Sequence, residues 1–213
     1  MKKLMWLLAI ATFLSTTVLA QSSGSFNFQS DTTACTDTSG LLGSGSTQTA
    51  LTTTMKVSSG NGVALVIRPS AVVGLLTNLS LTKTGLASSQ AGVNFQVTVK
   101  PLGGQAAPTV MPATPVTYDD RYVSISTNLF DAISTQCLAI SGGCYFNFNE
   151  TTLSAHSFDW VVTNLSSGNY EITVTWTPYS TATAPNSAQT CVGPIILTAE
   201  QTKIFNQNTG ISF

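Results

Sequence analysis

The chain has 213 residues, with eight basic and nine acidic side chains, and only 8% of its residues are charged, against about 25% in typical globular proteins. So few and such scattered Lys and Arg cannot neutralise a run of phosphates, which argues against nucleic acid as a partner. Polarity comes mainly from Ser, Thr, Asn and Gln, and the length suits one ordinary domain with its own core.

At the N-terminus, Lys2-Lys3 precede an apolar run over 4–14, and Val18-Leu19-Ala20 stand before Gln21. A basic cap, a short apolar stretch and a small residue at the cut are the marks of a secretory signal peptide. The run is too short to anchor permanently in a bilayer. Residues 1–20 are therefore expected to be removed, leaving a chain without a transmembrane anchor that starts at Gln21. That chain has six basic and nine acidic residues and is destined for the periplasm, the cell surface or the medium. The Met-Lys-Lys opening is of a bacterial kind.

Residues 21–48 are rich in Ser, Thr and Gly and show little periodicity, which predicts a flexible leader. The β domain is expected over 49–213. In 93–100 (VNFQVTVK) every odd position is apolar and every even one polar; 170–177 (YEITVTWT) does the same on even positions. Each alternation runs eight residues without an error, as a half-buried strand requires. Further strands are predicted at 50–57, 62–68, 72–82, 115–118, 121–126, 144–149, 157–163 and 191–198. Turn residues separate them at Ser59-Gly60-Asn61-Gly62, Gly103-Gly104, Gly142-Gly143 and Ser167-Gly168-Asn169. Two Pro-containing connections, 101–115 and 178–190, are the longest breaks, and 197–206 is the one candidate for a short helix. Some ten short strands favour an all-β, two-sheet sandwich of immunoglobulin-like architecture. An outer-membrane barrel, hinted at by the terminal Phe213, fits poorly with disulfides and long Pro-rich breaks.

All four cysteines, Cys35, Cys137, Cys144 and Cys191, follow the predicted cleavage point. In an exported chain they read as two disulfides, for which three pairings are possible. The preferred pairing is Cys137–Cys144, around a loop with Gly142-Gly143, and Cys35–Cys191, tying the leader to the last strands. A zinc site is disfavoured, because there is no Cys-x-x-Cys and a single histidine.

That histidine, His156, lies in an alternating stretch where Phe158, Trp160 and Val162 share its face and Asp159 points away. An edge imidazole bonded to backbone is the ordinary reading. No Gly-x-Ser-x-Gly occurs, so a Ser/His/Asp triad has no motif behind it. Tyr118-Asp119-Asp120-Arg121-Tyr122 is the densest charge cluster. It reads as a turn in which an Asp accepts backbone N–H groups and Arg121 balances the charge. Calcium binding by Asp119 and Asp120 is the metal alternative, and glycoside chemistry with Glu150 or Glu171 is the catalytic one. Arg68 is positioned to pair with an acid across the sheet. Trp160 and Trp176 point inward by parity, leaving Tyr122, Tyr145 and Tyr179 as candidates for exposed aromatics.

Thr117-Tyr118-Asp119-Asp120-Arg121, the Cys137/Cys144 pair, Leu153-Ser154-Ala155-His156-Ser157-Phe158 and the turn at 164–168 together resemble a group of uncharacterised exported bacterial proteins. In that group a Tyr-Asp-x-Arg and a Leu-Ser-Ala-His segment precede a Gly-centred turn and a last amphipathic strand. The resemblance covers roughly 50–200 and implies a shared secreted β domain, but no activity. The expectation is a non-enzymatic surface, adhesive or extracellular binding component, whose partner is a polysaccharide or another surface protein. An exported hydrolase acting on a glycan and a fibre or pilus-type subunit are the alternatives.

Overall fold

The computed structural model describes residues 25–58, 62–81, 87–125, 128, 146–181 and 186–203. The predicted signal peptide, Cys137, Cys144 and Tyr145 lie outside the described residues. Within them the chain is all-β: β1 (Phe26–Asp31), β2 (Ala34–Asp37), β3 (Gly43–Ser44), β4 (Gln48–Val57), β5 (Val63–Leu81), β6 (Ala87–Pro101), β7 (Thr109–Met111), β8 (Val116–Ile125), β9 (Phe146–Ser157), β10 (Trp160–Thr163), β11 (Gly168–Ser180) and β12 (Ser187–Lys203).

These strands form two antiparallel sheets packed as a sandwich. The seven-stranded sheet runs β1-β12-β5-β10-β7, with β2 also on β12 and β9 also on β5. The five-stranded sheet runs β3-β11-β6-β8, with β4 also on β11. The two eight-residue alternations became the central strands β6 and β11, which pair from Tyr170↔Pro101 to Ser180↔Ala91. Their apolar members, Phe95, Val97, Ile172, Val174 and Trp176, are buried against Leu65, Ile67, Leu75, Trp160 and Leu197 of the other sheet.

Strand β5 explains why two predicted strands fused. Inward parity is kept on odd residues from Val63 to Leu79, straight through Pro69. A proline has no N–H for a ladder. On that flank β10 pairs β5 only at 65–67 and β9 only from Ser70, so Pro69 stands at the gap between them. Its carbonyl accepts a 2.7 Å hydrogen bond from Tyr118 Oη instead.

Several expectations need correction. Residues 26–31 and 34–37 are strands rather than a flexible leader, because β12 offers them a paired edge and the Cys35–Cys191 disulfide pins them to it. The candidate helix at 197–206 is strand over its described part, 197–203, since Leu197, Ala199 and Gln201 are buried at a period of two. The 101–115 connection contains β7. Most of 178–190 belongs to the ends of β11 and β12. Of segments 115–118 and 121–126, residues 116–118 and 121–125 belong to one strand, β8, with a bulge, described next.

Candidate functional site

The sequence's charge cluster lies on β8, which ends the five-stranded sheet among the described residues. Its register with β6 slips between Val93↔Asp119 and Asn94↔Thr117, so Tyr118 is an extra residue. Such a bulge lets neighbouring side chains face the same way. Tyr118 and Asp119 both turn toward the other sheet, while Asp120 is exposed on the outer face. Asp119 and Asp120 therefore diverge, as expected for a strand, and the turn predicted there is absent. In this strand Asp120 bonds Gln90, whose Nε2 donates to both carboxylate oxygens at 2.9 and 3.0 Å.

Facing β8 across the sandwich's open side is β9, which among the described residues pairs with β5 alone. Ser154 Oγ donates to Asp119 Oδ2 at 2.6 Å and contacts His156 Nε2 at 2.6 Å. Asp119 Oδ2 also lies 3.5 Å from His156 Nε2. Further along, Arg121 pairs with Glu150 at 2.9 Å rather than with its neighbouring aspartates, because alternation puts it on the face toward β9. His156 is thus held by side chains of Ser154 and Asp119, not by the backbone.

Serine, histidine and aspartate converge here, yet not as a triad. A triad puts the acid on Nδ1 and the serine on Nε2, so that the ring takes the serine proton. In this cluster both partners approach Nε2. Ser154 gives its proton to Asp119, so the donor order that satisfies both bonds runs His156 Nε2–H to Ser154 Oγ–H to Asp119. The imidazole cannot act as a base toward a serine whose proton already points at a carboxylate. Ser154 also sits in mid-strand, in register with Val73, without the sharp turn that exposes a nucleophile. Glu171 is far from this group in the fold, on the outer face of β11 opposite Lys100. Among the described residues no group of three or more His, Cys, Asp or Glu is arranged to hold a metal.

The rest of the seam is aromatic. Tyr118 stacks on Phe95 with ring centres 4.0 Å apart and lies 6.2 Å from His156. Burial raises its hydroxyl well above the usual tyrosine range. Phe158 meets Trp160 edge-on at 5.0 Å. Asp159, in the step between β9 and β10, forms a two-pronged pair with Arg68, at 2.5 and 2.7 Å, as the sequence suggested. The hydrogen bonds from Arg68 hold the Asp159 carboxyl below its ordinary range.

A second candidate is the outer face of the five-stranded sheet. Thr52, Thr173 and Thr98 stand directly across β4, β11 and β6; Thr49, Thr175 and Gln96 form the next row. A third row runs from Thr177 through Asn94 to Thr117. The hydroxyls bond sideways: Thr47 to Thr177 at 2.8 Å and Thr117 to Asn94 at 2.8 Å. Charges are confined to the margins, at Lys56, Glu171, Lys100 and Asp120. At the β8 margin the Tyr179 ring lies over Gly92, with Asp120 nearby. Burial first, and the nearby Asp120 second, push its hydroxyl up to about 12. Tyr122 beside it is 64% exposed, whereas Trp160 and Trp176 are buried as parity required.

Sequence reasoning named Asp119, Asp120, Arg121 and His156 but missed Ser154 as the bridge and Glu150 as the partner of Arg121. The alternation at 150–156 placed Glu150, Ser154 and His156 on one face, which was the available signal.

No protein-family model matches the chain, and no curated protein does. Among solved structures it is similar to the VP2 subviral particle of infectious bursal disease virus, at 11% identity and a TM-score of 0.20, over 86% of this chain and 38% of that one. The T13 particle of the same virus gives 9% identity and a TM-score of 0.21, over 88% and 41%. This chain spans about two fifths of the length of those chains, and a likeness so distant carries no argument about function.

Proposed function

We propose that this is a non-enzymatic, exported β-sandwich protein that binds uncharged polysaccharide at the cell surface or outside the cell. The observation that carries the reading is the outer face of the five-stranded sheet. Its three rows of Thr, Asn and Gln offer hydroxyls and amides across several strands with charge only at the rim. Strand spacing of about 4.8 Å and a side-chain repeat of about 6.8 Å make a regular polar lattice. Such a lattice can exchange hydrogen bonds with a neutral polyhydroxy chain without desolvating an ion. The polar cluster at Asp119, Ser154 and His156 supports the non-catalytic part, since its protons are committed to joining two sheets.

Two features support an immunoglobulin-like architecture. Tyr170 Oη donates to Ser166 O at 3.0 Å and accepts from Ser166 N at 3.1 Å, a tyrosine corner between β10 and β11. The pairings β5–β10 and β6–β11 match the central strands of the two immunoglobulin sheets. The terminal strands are exchanged: β4 stands beside β11 where the last strand belongs, and β12 stands beside β5 where the first belongs. The basic-apolar-small pattern of residues 1–20 supports export.

The test is to purify the protein after export and measure its retention on insoluble neutral polysaccharides. Mass spectrometry should find an N-terminus at Gln21, the protein should be retained, and no sugar should be released. Release of reducing sugar, abolished by Asp119→Ala with the fold intact, would establish the hydrolase instead. A fibre-subunit reading has one observation in its favour: β1, paired on one side by β12 among the described residues, exposes Phe26 and Phe28. Polymers in gel filtration that dissociate on Phe26→Ser/Phe28→Ser would support it, and a monodisperse monomer would reject it.

A further inference from the structure

Cys35 and Cys191 stand directly opposite each other on β2 and β12, joined by a disulfide. Thr190 and Val192 are buried on the inner face of the seven-stranded sheet, so alternation turns both cysteines outward. Cys35 is exposed and Cys191 half-buried. We propose that this bond is a site of thiol–disulfide exchange, opened at Cys35 by a thiolate that carries no further negative charge. Exposed disulfides are the labile kind, and the outer face of this sheet leaves one in reach.

The direction of approach selects the sulfur. A thiolate attacks one sulfur in line with the bond that breaks, and access to that line governs the rate. Toward Cys35 the line comes from beyond β2, which among the described residues pairs with β12 alone. Toward Cys191 it comes over β5, where Gly74 has no side chain but Leu153 of β9 fills the space. A Cβ on residue 74 would lie 3.6 Å from both Cys191 Cβ and Leu153 Cδ1. The new S–S bond therefore forms at Cys35 Sγ. The old bond breaks, and its electron pair leaves on Cys191 Sγ, which takes a proton from water; the incoming sulfur is oxidised and Cys191 is reduced. Asp37, two residues along the same face of β2, stands about 6.8 Å from Cys35, inside the reach of a charge at ordinary ionic strength. The neighbouring outer-face residues Gln189, Leu76, Gly74 and Leu153 carry no charge to offset it. A thiol with extra carboxylates is repelled, and a neutral one is not. The consequence falls on β2, four residues long with one partner. Strand β1 keeps its own ladder with β12 and the Asn27 bonds to β4. Opening the bond frees β2 and leaves the core in place.

The test exposes the folded, exported protein briefly to 2-mercaptoethanol, quenches in acid and locates the adducts by peptide mapping, with Cys137 and Cys144 scored separately. The mixed disulfide should form on Cys35 and leave Cys191 as the free thiol, while the protein keeps its β-sheet circular dichroism. Hydrogen exchange over 34–37 should accelerate while that of β6 and β11 holds. At equal thiolate concentration and low salt, glutathione should react more slowly, and added salt should narrow the gap. Leu153 is 77% exposed, so Leu153→Ala should fold, and by uncovering Cys191 it should raise the share of adduct there. Opening only in denaturant, or an adduct shared equally between the two cysteines of the wild type, overturns the proposal. So do an unchanged exchange rate over 34–37, a partition that Leu153→Ala leaves unmoved, and a thiol preference that is absent or indifferent to salt.

Discussion

Asp119 and Ser154 belong to different sheets, yet a 2.6 Å hydrogen bond joins them across the open side of the sandwich. Together with His156 and the Arg121–Glu150 pair, this bond closes β8 onto β9. On the opposite side, Asn27 of β1 donates to Thr53 Oγ1 and Thr54 O of β4, at 2.8 and 2.9 Å. Both lateral margins of the two layers are thus tied by polar contacts around an apolar middle.

If the seam is structural, its members act on stability together. A hydrogen bond to a charged group is worth about 1.5–3 kcal/mol, and partial exposure favours the lower end. Ser154→Ala and Asp119→Asn should each cost about 1–1.5 kcal/mol in urea unfolding. The double variant should cost less than the sum, because both remove the same bond. Strict additivity would show that the two residues do not cooperate.

Gly92 lets Tyr179 cross the sheet to Asp120. A Cβ on residue 92 would meet Tyr179 Cζ at 2.2 Å, so Gly92→Ala must drive the ring aside. A loss of about 1–2 kcal/mol is expected from overpacking. Removing the obstruction with Tyr179→Ala should make the added methyl nearly neutral, which a four-member thermal denaturation cycle would measure.

Two tyrosines should ionise late. Tyr118 and Tyr179 are held above the ordinary value of 10, mainly by burial, and Tyr179 reaches about 12. Because the unfolded chain releases those protons first, the stability linked to Tyr179 is complete below about pH 10 and is lost as pH climbs toward 12. Titration of absorbance near 295 nm should show two delayed tyrosinates in the folded protein. Tyr179→Phe should flatten the alkaline fall in stability.

The disulfide joins residues 156 apart in sequence. Closing so long a loop is worth about 5 kcal/mol in the chain-entropy model, and native bonds of this kind typically contribute 2–5. Cys35→Ser/Cys191→Ser should lower the melting temperature. It should also speed hydrogen exchange first in β1 and β2, which lose their covalent hold on β12. Equal acceleration across β6 and β11 would mean that the bond supports the whole sandwich instead.

Much of this fold was written in alternation. Strands β6 and β11 are visible because each has one wet face, and Trp160 and Trp176 were placed correctly by parity alone. Central β5 was harder: its residues near Val66 are apolar on both faces, and Pro69 suggested a break that the ladder accommodates at the β9–β10 gap. Strands β1 and β2 carried almost no signal, since their stability comes from β12 and Cys191, more than 150 residues away. The bulge at Tyr118 is a property of pairing with β6, so no reading of β8 by itself could turn Asp119 toward Ser154. Residue chemistry flagged the cluster, and only three-dimensional register showed that it joins sheets.

The decisive observation concerns the threonine rows. Thr52→Glu/Thr98→Glu places carboxylates on both sides of Thr173 without touching the core. Wild-type protein should sediment with an insoluble neutral polysaccharide, and the folded variant should stay in the supernatant. Equal sedimentation of both, or none by either, would contradict a polymer-binding role for that face.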